Sequence, residues 1–439
     1  MNKSSCLEIF DLLKSKITAD AFECMIDYQN ECLTRFAVST IHQNVKSSSA
    51  NLHLRLIRGK KAGFATTNDL SSTGVESLIK KANEVLLNNE EDDEIYQLPR
   101  PEPIDPITFE HMDETPDFFD PEARASIVQK VCEEARKHKT DAYGSMSCEK
   151  NSLFVGNSYG VKNHHQNTEA SLSAQIMKDQ ASGFAQSSSF AIKNIETERV
   201  VEDALWACLN SADAKPVESK AYEVILKPEA VEDILKMLNY MGFFTQSIVE
   251  NRSFLSGKEG ELIFDPCISI RDDARNPMQA PMPFDFEGAP KKTVPLIEKG
   301  IFKKMVTDAK YAAKLNMSNT GHALPAPNAY GPIPLHLVLE GEKQQSLEHM
   351  IKDCNEGILI TRFWYANPAH PKKGIATGLT RDGTFYIKNG KIQHAIKNLR
   401  YTDSLVNVMS KVLSVGDQPR LYDRTLAPAL RCASMKFTG

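Results

Sequence analysis

Leu52-His53-Leu54-Arg55-Leu56-Ile57-Arg58-Gly59-Lys60-Lys61-Ala62-Gly63-Phe64-Ala65 alternates before its turn and runs on extended after it. Leu52, Leu54 and Leu56 fall on one side of a strand, because successive side chains point to opposite faces. Arg58-Gly59-Lys60 supplies a turn, so the stretch predicts a β-hairpin. Asn68-Asp69 and Ser71-Ser72 then offer capping oxygens. Val75, Leu78, Ile79, Ala82, Val85 and Leu86 follow at helical spacing. Strands followed by a helix, without strict alternation of the two, predict an α+β fold.

The pattern changes on the C-terminal side of that helix. Residues 88–119 carry Glu90-Glu91-Asp92-Asp93-Glu94 and then Pro99, Pro101, Pro103 and Pro106, which reads as a surface connection. Asp120-Pro121-Glu122 starts another helix, with a capping oxygen followed by proline at the first helical position. Val128, Val131, Cys132 and Ala135 form its apolar stripe. Leu153 to Val161 is extended and turns at Asn157-Ser158-Tyr159-Gly160. Val201, Ala204, Leu205 and Cys208 mark a further helix. Asp213-Ala214-Lys215-Pro216 is the boundary. The division is therefore an N-terminal α+β subdomain over 1–110, a second over 111–215, and an antiparallel-β domain over 218–439. In that last domain a helix is expected from Pro228 to Phe244. Phe385 to Ile392 is a hairpin turning on Asn389-Gly390, the type I′ pair. Leu296 to Ile301 repeats that device more weakly.

A length of 439 residues fits two or three domains. The net charge of -5 and pI near 6.2 argue against direct nucleic-acid binding. No run approaches the roughly 18 apolar residues of a membrane helix, and Met1 to Cys6 leads into no apolar signal core. The expected address is the cytoplasm. Nine scattered cysteines with no CxxC pair predict buried, reduced thiols.

Catalytic patterns are scarce. His164 and His165 are adjacent in a strand and point to opposite faces, so they do not share a metal and read as surface residues. His42, His53, His322, His336, His370 and His394 lack partners at ligand spacing. Asp272-Asp273 and Asp382-Gly383 read as turns. There is no nucleophile elbow, Walker A run or GxGxxG after a strand. The segment Lys236-Met237-Leu238-Asn239-Tyr240-Met241 reads as part of a core helix with Val231, Ile234, Leu235 and Leu238.

Longer motifs carry a resemblance. They are Thr34-Arg35-Phe36-Ala37, Ile41-His42-Gln43-Asn44 and Gly63 to Asn68 near the N-terminus, then Asn157 to Val161. Further on come Ser253 to Glu261, Pro283 to Gly288, Asn319 to Ala323, Thr377 to Gly383 and Asn389 to Ile392. In their order and spacing the chain resembles the TldD/TldE (PmbA) family of metallopeptidase subunits, and within it the TldE/PmbA branch, labelled "modulator of DNA gyrase".

The resemblance implies the following. In the TldD branch a His-Glu-x-x-x-His zinc motif precedes the Ser-x-x-Ser-Gly stretch. Counting back from Ser253 puts it on Lys236 to Met241, so the two histidines are Lys236 and Met241 and the glutamate is Met237. A cysteine ligand expected near the C-terminus is missing from Ser414 to Leu430. The expectation is a non-catalytic subunit without its own zinc. It would pair with a zinc-bearing TldD-like partner, or form a homodimer when isolated, and enclose a chamber for unfolded or modified peptides. Thr377, Gly378, Arg381 and His322 are the peptide or interface candidates, with 377–381 as a strand edge. Two rivals stand beside this reading: a hydrolase with a relocated site at His322, and a regulatory binding protein of the kind the gyrase label names.

Overall fold

The computed structural model describes residues 1–94 and 97–438. Ile95, Tyr96 and Gly439 lie outside the described residues, including the last position of the expected C-terminal domain. The N-terminal region repeats one order of elements. The first unit is α1 (Lys3–Lys16), β1 (Ala21–Ala37), β2 (Thr40–Arg58), β3 (Lys61–Thr67) and α2 (Ser72–Asn88). The second is α3 (Pro121–Lys137), β4 (Asp141–Asn157), β5 (Lys162–Lys178), β6 (Ala181–Ser189) and α4 (Thr197–Asn210). All six strands form one antiparallel sheet in the order β3-β2-β1-β4-β5-β6. The two units meet where β1 pairs with β4, so residues 1–110 and 111–215 each give three strands to a single sheet.

The local signals act as read. Leu52, Leu54 and Leu56 are buried with Val75, Leu78, Ala82 and Leu86 of α2. Ser71 Oγ accepts the Gly74 N–H at 3.2 Å and caps α2. Val85 departs from the expected stripe and is exposed. Asp120 caps α3, and Pro121 opens it. The connection after α2 keeps its acidic run exposed, with Glu94 paired to Lys310 and Lys314. Its later part is not all surface: Leu98 and Asp113 are buried, and Asp113 accepts the Ile192 N–H at 3.0 Å.

Alternation along the long strands gives the sheet two different faces. Phe22, Cys24 and Ile26 of β1, Met146, Cys148 and Phe154 of β4, and Leu172, Ala174 and Ile176 of β5 pack under the helices. The alternate positions include Glu23, Asp27, Gln29, Glu149, Asn151, His165, Asn167, Glu169 and Gln175. Such a polar face usually meets water. Here the C-terminal region covers it.

That region is built from β7 (Ala221–Leu226), α5 (Pro228–Leu238), β8 (Ile268–Asp272), β9 (Val294–Glu298), β10 (Ile301–Phe302), β11 (Leu337–Gly341), β12 (Gln344–Gln345) and β13 (Glu356–His370). It continues with β14 (Ile375–Lys388), β15 (Lys391–Ala395), β16 (Arg400–Ser404), β17 (Val412–Gly416), β18 (Arg420–Tyr422), β19 (Thr425–Ala427) and β20 (Leu430–Thr438). One sheet closes on itself through β7-β13-β14-β16-β20 and back to β7, which gives these five strands a neighbour on both sides, while β17 with β12, and β15, branch from the ring. A second runs β10-β9-β8-β11-β19-β18. Antiparallel pairing dominates, as expected, but β7–β13, β11–β19 and β12–β17 are parallel. The type I′ hairpin stands, with Asn389 and Gly390 both at positive φ. The helix expected to reach Phe244 stops being α-helical at Leu238 and continues as a π turn over Asn239–Phe243.

Charged contacts tie the two regions together. Arg55 of β2 donates to Glu23 at 3.1 Å and to Glu287 at 3.0 Å. Asp203 of α4 meets Lys227 at 3.2 Å and Arg420 at 3.0 Å. Asp382 of β14 accepts from Gln175 at 2.9 Å and from Ser182 at 2.6 Å.

Candidate functional site

α5 carries the segment that the resemblance aligns with a zinc motif. Pro228 occupies its first turn, where the missing N–H costs nothing. One turn further on, Glu232 and Lys236 stand four residues apart and form an ion pair at 2.5 Å. Lys236 projects into a cleft of about 330 Å³ between α5 and the polar face of the N-terminal sheet. Glu149, Glu169, Glu232 and Asp423 line it as well. Burial is the main cause pushing the Glu149, Glu169 and Glu232 carboxyls above the usual range. For Lys236, burial pulls the other way, but Glu232 outweighs it and holds the ammonium protonated beyond its ordinary range.

Met237 packs against the C-terminal core, and Met241 lies within that core, fully buried in the π turn. These side chains do not suit zinc. A protonated amine has no free lone pair, and thioethers are poor ligands for an ion that takes thiolate, imidazole or carboxylate. Among the described residues, no three His, Cys, Asp or Glu side chains are grouped to hold a metal.

A second cluster lies deeper. Asp272 ends β8 and is fully buried, which corrects its reading as a turn residue. Its Oδ1 meets His322 Nε2 at 2.9 Å and Lys291 Nζ at 3.8 Å. Its Oδ2 accepts the N–H groups of Leu335 and His336 at 2.7 and 2.8 Å. Burial alone would raise this carboxyl, but Lys291 and then His322 hold it far below the carboxylate range. His322 therefore has an acidic partner after all, fifty residues away in sequence. Its other nitrogen, Nδ1, lies 2.9 Å from the Thr320 carbonyl. With both nitrogens engaged and the ring fully buried, His322 is a packing and orienting group. The geometry gives no support to a hydrolase centred on it, nor to its place on a peptide surface.

The stretch Thr377-Gly378-Leu379-Thr380-Arg381 is not an edge. β14 pairs with β13 on one side and β16 on the other, with Thr377 opposite both Asn367 and Thr402. Gly378 has no room for a Cβ, which would lie 2.7 Å from the Tyr401 ring. Both sides of the strand are occupied because closing the barrel requires it. Arg381 stacks on Trp364 at 4.5 Å, its side chain partly exposed. The two neighbouring histidines are also less exposed than expected. His164 Nε2 lies 3.1 Å from Ser152 Oγ, and His165 stacks on His111 at 5.3 Å between ring centres.

The sequence reading missed Glu149, Glu169, Asp423 and Arg424, which shape the interior clefts, and Lys291, which neutralises Asp272. A faint signal existed: β1, β4 and β5 place polar groups at every second position with few lysines among them.

Comparison with known proteins fits this architecture. The profile described as "PmbA/TldA metallopeptidase C-terminal domain" matches residues 219–439, and "PmbA/TldA metallopeptidase domain 1" matches 30–86. The chain belongs to the PmbA/TldD metallopeptidase family. An uncharacterised protein of Methanocaldococcus jannaschii is 26% identical over 276 residues, which is 62% of this chain and 64% of that relative, just under two thirds. A Haemophilus influenzae protein named "Metalloprotease PmbA homolog" is 21% identical over 90% of this chain and 88% of its own length. The crystal structure of TldE from Thermococcus kodakarensis superposes with a TM-score of 0.89 at 20% identity, covering 99% of this chain and 100% of that one. At that identity the likeness is one of fold.

Proposed function

We propose that this chain is a non-catalytic, TldE/PmbA-like subunit of a two-protein metallopeptidase, acting on unfolded or modified peptides. The observation that carries the reading is the Lys236–Glu232 ion pair. An ammonium sits where the motif would place an imidazole, and it is locked to a carboxylate on its own helix. Zinc hydrolysis needs ligands for the ion and a carboxylate to take the proton of its water. Lys236, Met237 and Met241 offer neither. In this reading the zinc belongs to a TldD-like partner, and this chain completes the chamber.

Two features support a partner surface on the C-terminal region. Tyr240, Phe244 and Tyr330 form a string of ring contacts at 5.7 and 6.4 Å, with both tyrosines exposed. Trp364 and Tyr365 are exposed on the β13 arm. Exposed aromatics of this kind are enriched in protein interfaces. A cytoplasmic address goes with the reading. All nine cysteines are buried and unpaired, and no helix among the described residues is long and apolar enough to cross a membrane.

Co-expression with a His-Glu-x-x-x-His family member tests the proposal. The expected result is a stable complex holding zinc in the partner, with peptidase activity that the isolated chain lacks. One zinc per chain in the isolated protein, or hydrolysis by it alone, overturns the reading.

A further inference from the structure

Beside the acidic cleft, the polar face of the N-terminal sheet and the C-terminal region form a second, partly open cavity of about 220 Å³. Asp27, Asn151, His165, Asn167, His336 and Arg424 are among its lining residues. His336 is fully buried, and neither ring nitrogen has a hydrogen-bond partner. His165 Nε2 and Asn167 Oδ1 are buried there unpartnered as well. Leaving a buried polar atom unpaired costs about 1–3 kcal/mol, and such groups are few in folded proteins. Three residues bearing them around one cavity point to a ligand that satisfies them.

The charges identify its chemistry. Asp27 is committed, meeting His53 at 3.0 Å and Asn51 at 2.9 Å. Asp272, which accepts the backbone N–H of His336, is neutralised by Lys291 and hydrogen-bonded to His322. Arg424 makes no ion pair among the described residues; Glu149 and Glu169 of the neighbouring cleft act on it without contact. The uncommitted groups are thus one guanidinium fork, two imidazoles and an amide oxygen. Burial keeps both imidazoles neutral: His165 falls to about 4, and His336 lies well below the usual histidine range. Arg424 is the charged group of the lining whose partners are not already supplied, since both Asp27 oxygens are taken, and its planar fork suits a carboxylate. The volume equals roughly seven waters at about 30 Å³ each, too small for most whole ligands but enough for the end of one. The Asn167 oxygen suits the amide N–H that accompanies a carboxylate in any peptide.

We infer that this cavity binds a peptide carboxylate, either the chain terminus or an acidic side chain, with Arg424 as its counter-ion and His336 as a hydrogen-bond donor, while His165 Nε2, whose ring already donates to the Pro281 carbonyl, accepts an accompanying amide N–H. The peptide rests on the function proposed above; the carboxylate rests on the cavity alone.

Calorimetric titration of the isolated full chain tests this without any catalytic partner, so failed pairing and failed binding are separate results. The probes are acetyl-trialanine as free acid, the same peptide amidated, acetyl-Ala-Glu-Ala-amide and inorganic phosphate. The expected result is that at least one carboxylate peptide binds at least tenfold more tightly than amidated trialanine. Preference for the free acid assigns the terminus, and preference for the glutamate peptide assigns the side chain. Arg424→Gln should weaken binding at least tenfold with an unchanged melting temperature. Arg424→Lys, which keeps the charge and loses the fork, should fall between. Equal binding of acid and amide, no binding by any carboxylate probe, tighter binding of phosphate, or indifference to both substitutions overturns the inference.

Discussion

Ser182 of the N-terminal sheet donates its hydroxyl to Asp382 of the C-terminal barrel at 2.6 Å. The same carboxylate, itself buried, takes Gln175 Nε2 at 2.9 Å and pairs with Arg362. Asp382 is therefore a clamp between the two regions. Asp382→Ala should cost about 3–5 kcal/mol, because it strands a partly buried guanidinium along with two polar groups. Asp382→Asn should cost less, since asparagine tolerates the positive φ of 55° and retains an acceptor. Calorimetric melting of both variants checks the order; equal melting temperatures would contradict the clamp.

Asp272 should be still less replaceable. Asp272→Ala leaves the Lys291 ammonium buried without a contacting carboxylate and frees the N–H groups of Leu335 and His336. A loss of about 3–5 kcal/mol or failure to fold is expected. His322→Gln should cost less, because Lys291 still faces Asp272. Denaturant titration of the two variants compares them directly.

Rebuilding the motif should not restore chemistry. Met237→Glu puts a carboxylate against the core, at a cost of about 1–3 kcal/mol. The triple change Lys236→His, Met237→Glu, Met241→His should bind no stoichiometric zinc, because position 241 is enclosed in the core while 236 opens into the acidic cleft. Elemental analysis after dialysis and a small peptide panel provide the readouts. One tightly held zinc per chain would show that the two positions can converge.

The contribution of Asp233 to stability should fall as pH rises from 5 to 8. Burial, aided by the Glu232 charge, raises this carboxyl to about 7, against the Phe363 N–H, Lys236 and Arg362. The unfolded chain releases that proton near about 3.9. Between those values only the folded state holds it. The stabilisation is complete below the unfolded value and is lost through pH 7. Asp233→Asn should remove this part of the slope, on the order of 2 kcal/mol across the range. Urea titrations of both proteins at pH 5 and pH 8 test it, and parallel profiles would rule it out.

What could be read from sequence was local. The cap at Asp120, the turn at Asn389-Gly390 and the leucine face of β2 depend on neighbours within a few residues, and all three hold in the structure. Asp272 looked like a turn because the groups that bury its charge, Lys291 and His322, lie far along the chain. Thr377 to Arg381 looked like an edge because its flanking strands are known only once the barrel closes. His165 looked like a surface residue, and Glu149 and Glu169 drew no attention, because their cover comes from more than sixty residues further on. Their pattern fixed which face they share, while the domain that packs over them decided what they do.

β1 is paired along most of its length on both sides, to β2 and to β4. A single residue inserted between Phe22 and Thr34 would therefore turn its apolar positions away from the helices and put Glu23, Asp27 or Gln29 in their place. No compensating slip is available, because two registers would have to move together. The far stretch of β2 beyond Asn44, from Val45 to Ser49, is exposed, so the same insertion there has little to disturb. The molecule thus has a brittle strand lying directly beside a forgiving one, and a peptide tag or loop graft belongs in the second.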